Sequence, residues 1–122
     1  MNKPEIRQYT REDINAVHSI ALASAEADQV DPKSTLEYIP TFEELAESLG
    51  DGSSHDVLVA VDDTGNIVGY GQVKWWQEED GTLIYVHSGS VDPSARRRGI
   101  GSQLVTSLQE RIKELAATHF EL

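Results

Sequence analysis

The sequence predicts an α+β domain in which a mixed, mainly antiparallel sheet is flanked by helices. Three observations carry that prediction. Val57–Val61, Ile67–Gln77 and residues 82–91 are β-rich apolar runs with only turn-forming clusters between them, the pattern of an antiparallel meander. Apolar residues recur at helical spacing before this meander and again after it. Helix-start signals stand where the periodic stretches before the meander begin.

Taken in order, residues 6–9 read as a short strand. Thr10 follows as an N-cap with Asp13 three residues on, and Tyr9 and Ile14 occupy the two positions of a hydrophobic staple. Ile14, Val17, Ala21, Leu22 and Ala25 mark a first helix over residues 11–27. Residues 28–40, interrupted by Pro32 and Pro40, read as irregular. Thr41-Phe42-Glu43-Glu44 is a capping box that opens a second helix, and Gly50 closes it. In the meander, Asp62-Asp63-Thr64-Gly65-Asn66 and Glu79-Asp80-Gly81 form the turns. Gly89, inside the third run, predicts either a bulge or a place where something approaches the backbone closely. Trp75 and Trp76 are neighbours in a strand and point to opposite faces: one is expected in the core, the other at an acceptor site or an interface. Ile100, Leu104, Leu108, Ile112 and Leu115 form the apolar stripe of a third helix over residues 99–117, and residues 119–122 are expected to begin another strand.

A chain of 122 residues suits one domain with one core, here spanning residues 1–122. No apolar stretch approaches the length that crosses a bilayer, and the first residues lack the apolar segment of a signal peptide. A cytoplasmic protein is expected. The absence of cysteine excludes disulfides, thiolate metal sites and a cysteine nucleophile. The histidines are scattered, without a His-x-x-x-His pair, so no metal is expected. A net charge of −11 repels nucleic acid and anionic membranes, which excludes both as partners.

Against that charge, Arg96-Arg97-Arg98 is out of place. These residues belong to Val91-Asp92-Pro93-Ser94-Ala95-Arg96-Arg97-Arg98-Gly99-Ile100-Gly101-Ser102-Gln103-Leu104, between the last strand of the meander and the third helix. The first turn of a helix leaves backbone N–H groups without partners, and the helix dipole adds positive potential there. Gly99 and Gly101 remove the Cβ atoms that would hold a phosphate away from those amides, and the arginines add charge and donors at the same point. The segment is a candidate anion site. The bland alternative is a helix start with no ligand, beside a solvated charge run. No Gly-Lys-Ser/Thr follows, so it is not a Walker loop; the third glycine of a dinucleotide fingerprint is missing, and the preceding sheet is antiparallel.

At Arg96-Arg97-Arg98-Gly99-Ile100-Gly101 the sequence resembles the Arg/Gln-x-x-Gly-x-Gly/Ala signature of the GCN5-related N-acetyltransferases, the GNAT family. The likeness extends upstream to Val91-Asp92-Pro93 and downstream to Leu104, and the element order follows the family over nearly all of the chain. The resemblance implies a GNAT-like fold truncated after the third helix, since the family pattern continues with further strands and a helix. It implies an N-acyltransferase that moves an acetyl group from acetyl-CoA, its co-substrate, to an amine on a small molecule or a peptide, by direct attack. The amides of Arg97, Arg98, Gly99, Ile100, Gly101 and Ser102 are then expected to hold the pyrophosphate, with Arg96, Arg97 and Arg98 facing the nucleotide phosphates. The backbone of Gly89, Ser90 and Val91 is expected to pair with the pantetheine arm, and the Val91 N–H to face the developing oxyanion. The family often places a carboxylate base on the equivalent strand, but residues 82–91 contain neither Asp nor Glu. His87 is the nearest titratable candidate; its other reading is a polar residue on a half-buried strand. The competing functional reading is a non-catalytic CoA-binding or dimerising module, half of a tandem or truncated protein, completed by a second copy or a second half.

Overall fold

Asp13 organises the start of the chain. Its carboxylate receives both arms of the Arg7 guanidinium at 2.9 Å and the Thr10 backbone N–H at 2.8 Å, while the Asp13 N–H returns to the Thr10 carbonyl at 2.9 Å. The capping box read from Thr10 and Asp13 therefore forms, on a single 3-10 turn, Arg11–Asp13, that leads into helix α1 (Ile14–Ala27). Burial pushes the Asp13 carboxyl up, but Arg7 and the Thr10 amide and hydroxyl outweigh it and hold it below the ordinary carboxylate value. The computed structural model describes residues 4–28 and 40–120, so residues 29–39 of the stretch read as irregular lie outside the described residues.

Strand β1 (Glu5–Gln8) precedes α1. Helix α2 (Phe42–Leu49) opens on the Thr41–Glu44 box, with the Glu44 N–H on Thr41 Oγ at 3.2 Å, and ends at Gly50, whose φ of 79° only glycine adopts without strain. Strands β2 (Val57–Val61), β3 (Ile67–Gln77) and β4 (Leu83–Val91) follow as the antiparallel meander. The sheet order is β1-β2-β3-β4, every pair antiparallel. Helix α3 (Ile100–His119) closes the described chain.

Strand alternation splits the core into two layers. Val57, Val59 and Val61 pack with Tyr9, Val17, Leu45 and Leu49 on the α1/α2 side. Ala60 and Val68 pack with Ala95, Ile100 and Leu104 on the α3 side. The register slips between Ala60 and Val61, a bulge that turns both Val68 and Gly69 toward α3. A Cβ on Gly69 would stand 2.9 Å from Leu104 Cδ1, and one on Gly71 2.6 Å from Leu108 Cδ1, so the two glycines are what let α3 lie directly on β3.

Two expectations are corrected, and the choice left open at Gly89 is decided. The third helix continues through His119 instead of giving way to a strand there; residues 121–122 lie outside the described residues. At Gly89 the β3–β4 register is unbroken, so there is no bulge. The close approach is β3 itself: a Cβ on Gly89 would collide with the Tyr70 carbonyl oxygen and stand 2.8 Å from Gly71 Cα. Neither tryptophan is in the core, Trp75 being 43% and Trp76 45% exposed. The reason is strand length. β2 pairs with β3 only as far as Gln72, so beyond it β3 and β4 run on as a ribbon that, among the described residues, no third strand joins.

Candidate functional site

The candidate site begins with hydrogen-bond parity. The Asp92 N–H donates to the Val68 carbonyl and the Glu78 N–H to the Thr82 carbonyl, both at 2.8 Å, which fixes the even-numbered residues of β4 as the ones that bond to β3. The odd-numbered residues Leu83, Tyr85, His87, Gly89 and Val91 therefore turn their N–H and C=O groups away from the sheet. Among the described residues no strand pairs with that outer edge.

Downstream of β4 the backbone is shaped by a short run of local signals. Asp92 caps a single turn, Pro93–Ala95, by accepting from the Ser94 N–H at 2.9 Å. Arg96 is extended, Arg97 is left-handed at φ 70°, and Gly99 is left-handed at φ 78°. Left-handed residues set among others are the conformation from which anion-binding nests of successive N–H groups are built. For arginine that conformation costs about 1 kcal/mol or more, so the surroundings must hold it. Gly99 is also the N-cap of α3 and supplies no side chain, which leaves the amides of Ile100, Gly101 and Ser102 without a capping partner.

A cleft of about 510 Å³ joins these two features. His87, Gly89, Ser90 and Val91 line it from β4, and Arg96, Arg97, Gly99, Ile100, Gly101 and Ser102 line it from the loop and the first turn of α3. The structure thus brings together all of the sequence-predicted site residues except Arg98, which is absent from the lining; its charge acts instead on Asp62 in the β2–β3 turn. His87 is exposed on the α3 side of the strand. Tyr85 lies beyond the cleft, where its hydroxyl and His119 Nδ1 share a hydrogen bond of 2.6 Å and the Trp75 ring lies 4.1 Å from that of His119. His18 packs edge-on against Phe42 at 5.3 Å, a structural contact.

The sequence reading gave no site role to four polar lining residues. Tyr70 and Ser88 project from the sheet face opposite α3, and burial pushes the Tyr70 phenol up, offset in part by its hydrogen bond with Ser90. Ser24 and Asp28 stand on the far wall, at the end of α1. Their only sequence signal is position, since Asp28 is where the helical periodicity of α1 stops. The Arg96 guanidinium reaches them across the cleft: Nη1 donates to Asp28 Oδ1 at 2.9 Å, and Nη2 to Ser24 Oγ at 2.9 Å and Asp28 Oδ2 at 3.3 Å. Among the described residues no cluster of His, Asp and Glu is placed to hold a metal, and no helix is long and apolar enough to cross a membrane.

Comparison with known proteins bears on this arrangement. No curated protein matches the chain. Solved structures do. The PaiA N-acetyltransferase of Thermoplasma acidophilum, in complex with coenzyme A, aligns with a TM-score of 0.72 at 18% identity, over 94% of this chain and 75% of that one. The ribosomal-protein-alanine N-acetyltransferase of Brucella melitensis aligns at 0.67 and 26% identity, over 90% and 67%. A phosphinothricin acetyltransferase of Sinorhizobium meliloti, in complex with AcCoA, aligns at 0.66 and 22% identity, over 90% and 60%. The chain therefore spans between 60% and 75% of the length of these three structures. Residues 14–122 match the model of the acetyltransferase (GNAT) family, and with the four-stranded antiparallel sheet and its helices in place this chain belongs to that family.

Proposed function

We propose that the cleft holds acetyl-CoA and that the chain transfers its acetyl group to an amine on a small molecule or a peptide. One observation carries the reading: an uncovered strand edge and an uncapped helix start open into the same cleft. The first suits an arm of amides that needs backbone partners, the second a diphosphate. Gly99 and Gly101 support the fit. A Cβ on Gly99 meets nothing within 4 Å, and one on Gly101 makes only an ordinary contact of 3.7 Å with Val91 Cγ2, so neither glycine is demanded by crowding from the protein.

In this reading the amides of residues 97–102 hold the pyrophosphate, and the outward Gly89 N–H and C=O and the Val91 C=O pair with pantetheine; Ser90, whose backbone bonds to β3, takes no part in that pairing. The bound thioester supplies an activated acetyl group. The Val91 N–H faces the carbonyl oxygen on which negative charge develops, and holding both reactants in one cleft supplies the rest. The amine nitrogen forms the new bond to the acetyl carbon, the carbon–sulfur bond breaks, and the thiolate leaves. His87, which lines the cleft, accepts in this reading the proton that the amine gives up. A second reading, a CoA-binding module without turnover, is favoured by one observation: the only carboxylate on the described lining, Asp28, is already tied to Arg96.

Calorimetry with CoA, paired with thiol release from acetyl-CoA over a panel of amines, tests both. Binding with amine-dependent release is expected. Binding without release across the panel favours the module, and no binding at all overturns both readings.

A further inference from the structure

The Arg96 clasp places a carboxylate where two fields disfavour it. Asp28 is the residue after the last turn of α1, at the negative end of that helix, and it lies on the wall of a cleft whose loop is built for an anion. Yet it accepts two arms of Arg96 in a fork, with the Ser24 hydroxyl as a third partner. Ser24 is 7% exposed while the Arg96 and Asp28 side chains are 36% and 53% exposed, so the fork lies at the rim of the cleft with one arm of the guanidinium reaching a buried hydroxyl. Arg96 immediately precedes the left-handed Arg97 and opens the nest. Its hydrogen bonds also keep the Asp28 carboxyl below the ordinary value, so the pair stays charged through the neutral range.

We infer that Asp28 and Ser24 are positioning residues for the anion loop: they act through Arg96, whose fork fixes the loop's entry and pins the end of α1 to it. This rests on the reading that the loop binds CoA. The three donors that Arg96 gives to α1 leave its side chain a strut, with the phosphates met by the backbone amides behind it.

The sign of one substitution separates this from simple electrostatics. Removing a negative charge beside a polyanion site strengthens binding if Asp28 is only a nearby charge. Removing a positioning residue weakens it. For the full chain titrated with CoA in a calorimeter, Asp28→Asn is expected to raise Kd about three- to fivefold, the scale of one exposed fork, and Ser24→Ala to raise it about twofold. Thermal melts of the same samples report whether each variant is folded. In an Arg96→Ala background, Asp28→Asn is expected to weaken binding no further and, with the carboxylate then unpaired beside the anion, to leave Kd unchanged or lower, which a general structural weakening would not produce. An Asp28→Asn protein that binds as tightly as the parent or more tightly overturns the inference, as does an equal effect of Asp28→Asn with and without Arg96. A parent chain that gives no heat with CoA overturns the binding reading and this inference with it.

Discussion

Two pairs of glycines flank helix α3, and they lack side chains for opposite reasons. Gly69 and Gly71 lie beneath it, where any Cβ meets Leu104 or Leu108 at under 3.0 Å. Gly99 and Gly101 lie at its start, where a Cβ meets no protein atom closer than 3.7 Å. The first pair is demanded by packing that the chain itself supplies. The second pair is not crowded by the described chain, and it stands at a point where backbone amides are open. A missing side chain thus means contact in one region and an awaited contact in the other, and only the surroundings distinguish them.

Substitutions can break or sharpen that contrast. Gly71→Val has the largest expected effect: Leu108 must leave its position or β3 and α3 must separate, at a cost of about 2–3 kcal/mol, lowering Tm by on the order of 10 °C in a thermal melt. A melt within a degree of the parent would show that Leu108 repacks freely and would erase the distinction. Gly101→Val should leave the melt nearly unchanged but weaken CoA about tenfold, or 1.4 kcal/mol, in a calorimetric titration. An unchanged Kd would empty the loop of its assigned role. Gly99→Ala sits between the two: the space is open, but φ is 78°, so about 1 kcal/mol of stability should be lost in denaturant unfolding, with a correspondingly modest loss of affinity.

The smallest effect concerns acid. Asp13 has its folded-state carboxyl held below the ordinary value, so its contribution to stability is complete above the unfolded carboxylate range and is lost as pH falls through the lower folded value. Tm should therefore drop on acidification by the same amount in the parent and in Gly71→Val, because Asp13 is remote from α3 in its contacts. A difference that grew as pH fell would mean that the two layers of the core are coupled.

Local signals were legible and distant ones were not. The Thr10–Asp13 and Thr41–Glu44 boxes and the Gly50 stop could be read because cap chemistry spans four residues. The two turns of the meander and the Arg96-to-Gly101 segment followed from the same short-range logic. The purpose of Gly89 could not be read, because it depends on which residue of β3 lies opposite, and that is set by a register no local pattern reveals. The tryptophans were misplaced because alternation says which face a side chain takes but not whether anything covers that face. Asp28 and Arg96 are 68 positions apart, so their fork is invisible until the chain has folded. Helix α3 outran its expected end because Ala117, Thr118 and His119 present no stop signal.

The border of β4 that no strand among the described residues covers has a cost away from any chemistry. A row of outward amide and carbonyl groups is a template that another extended chain can copy, and β4 carries no proline or lysine to discourage it. Concentrated samples should therefore thicken slowly with self-associated material, seen as rising light scatter, and storage with the ligand that occupies that border should keep them clear.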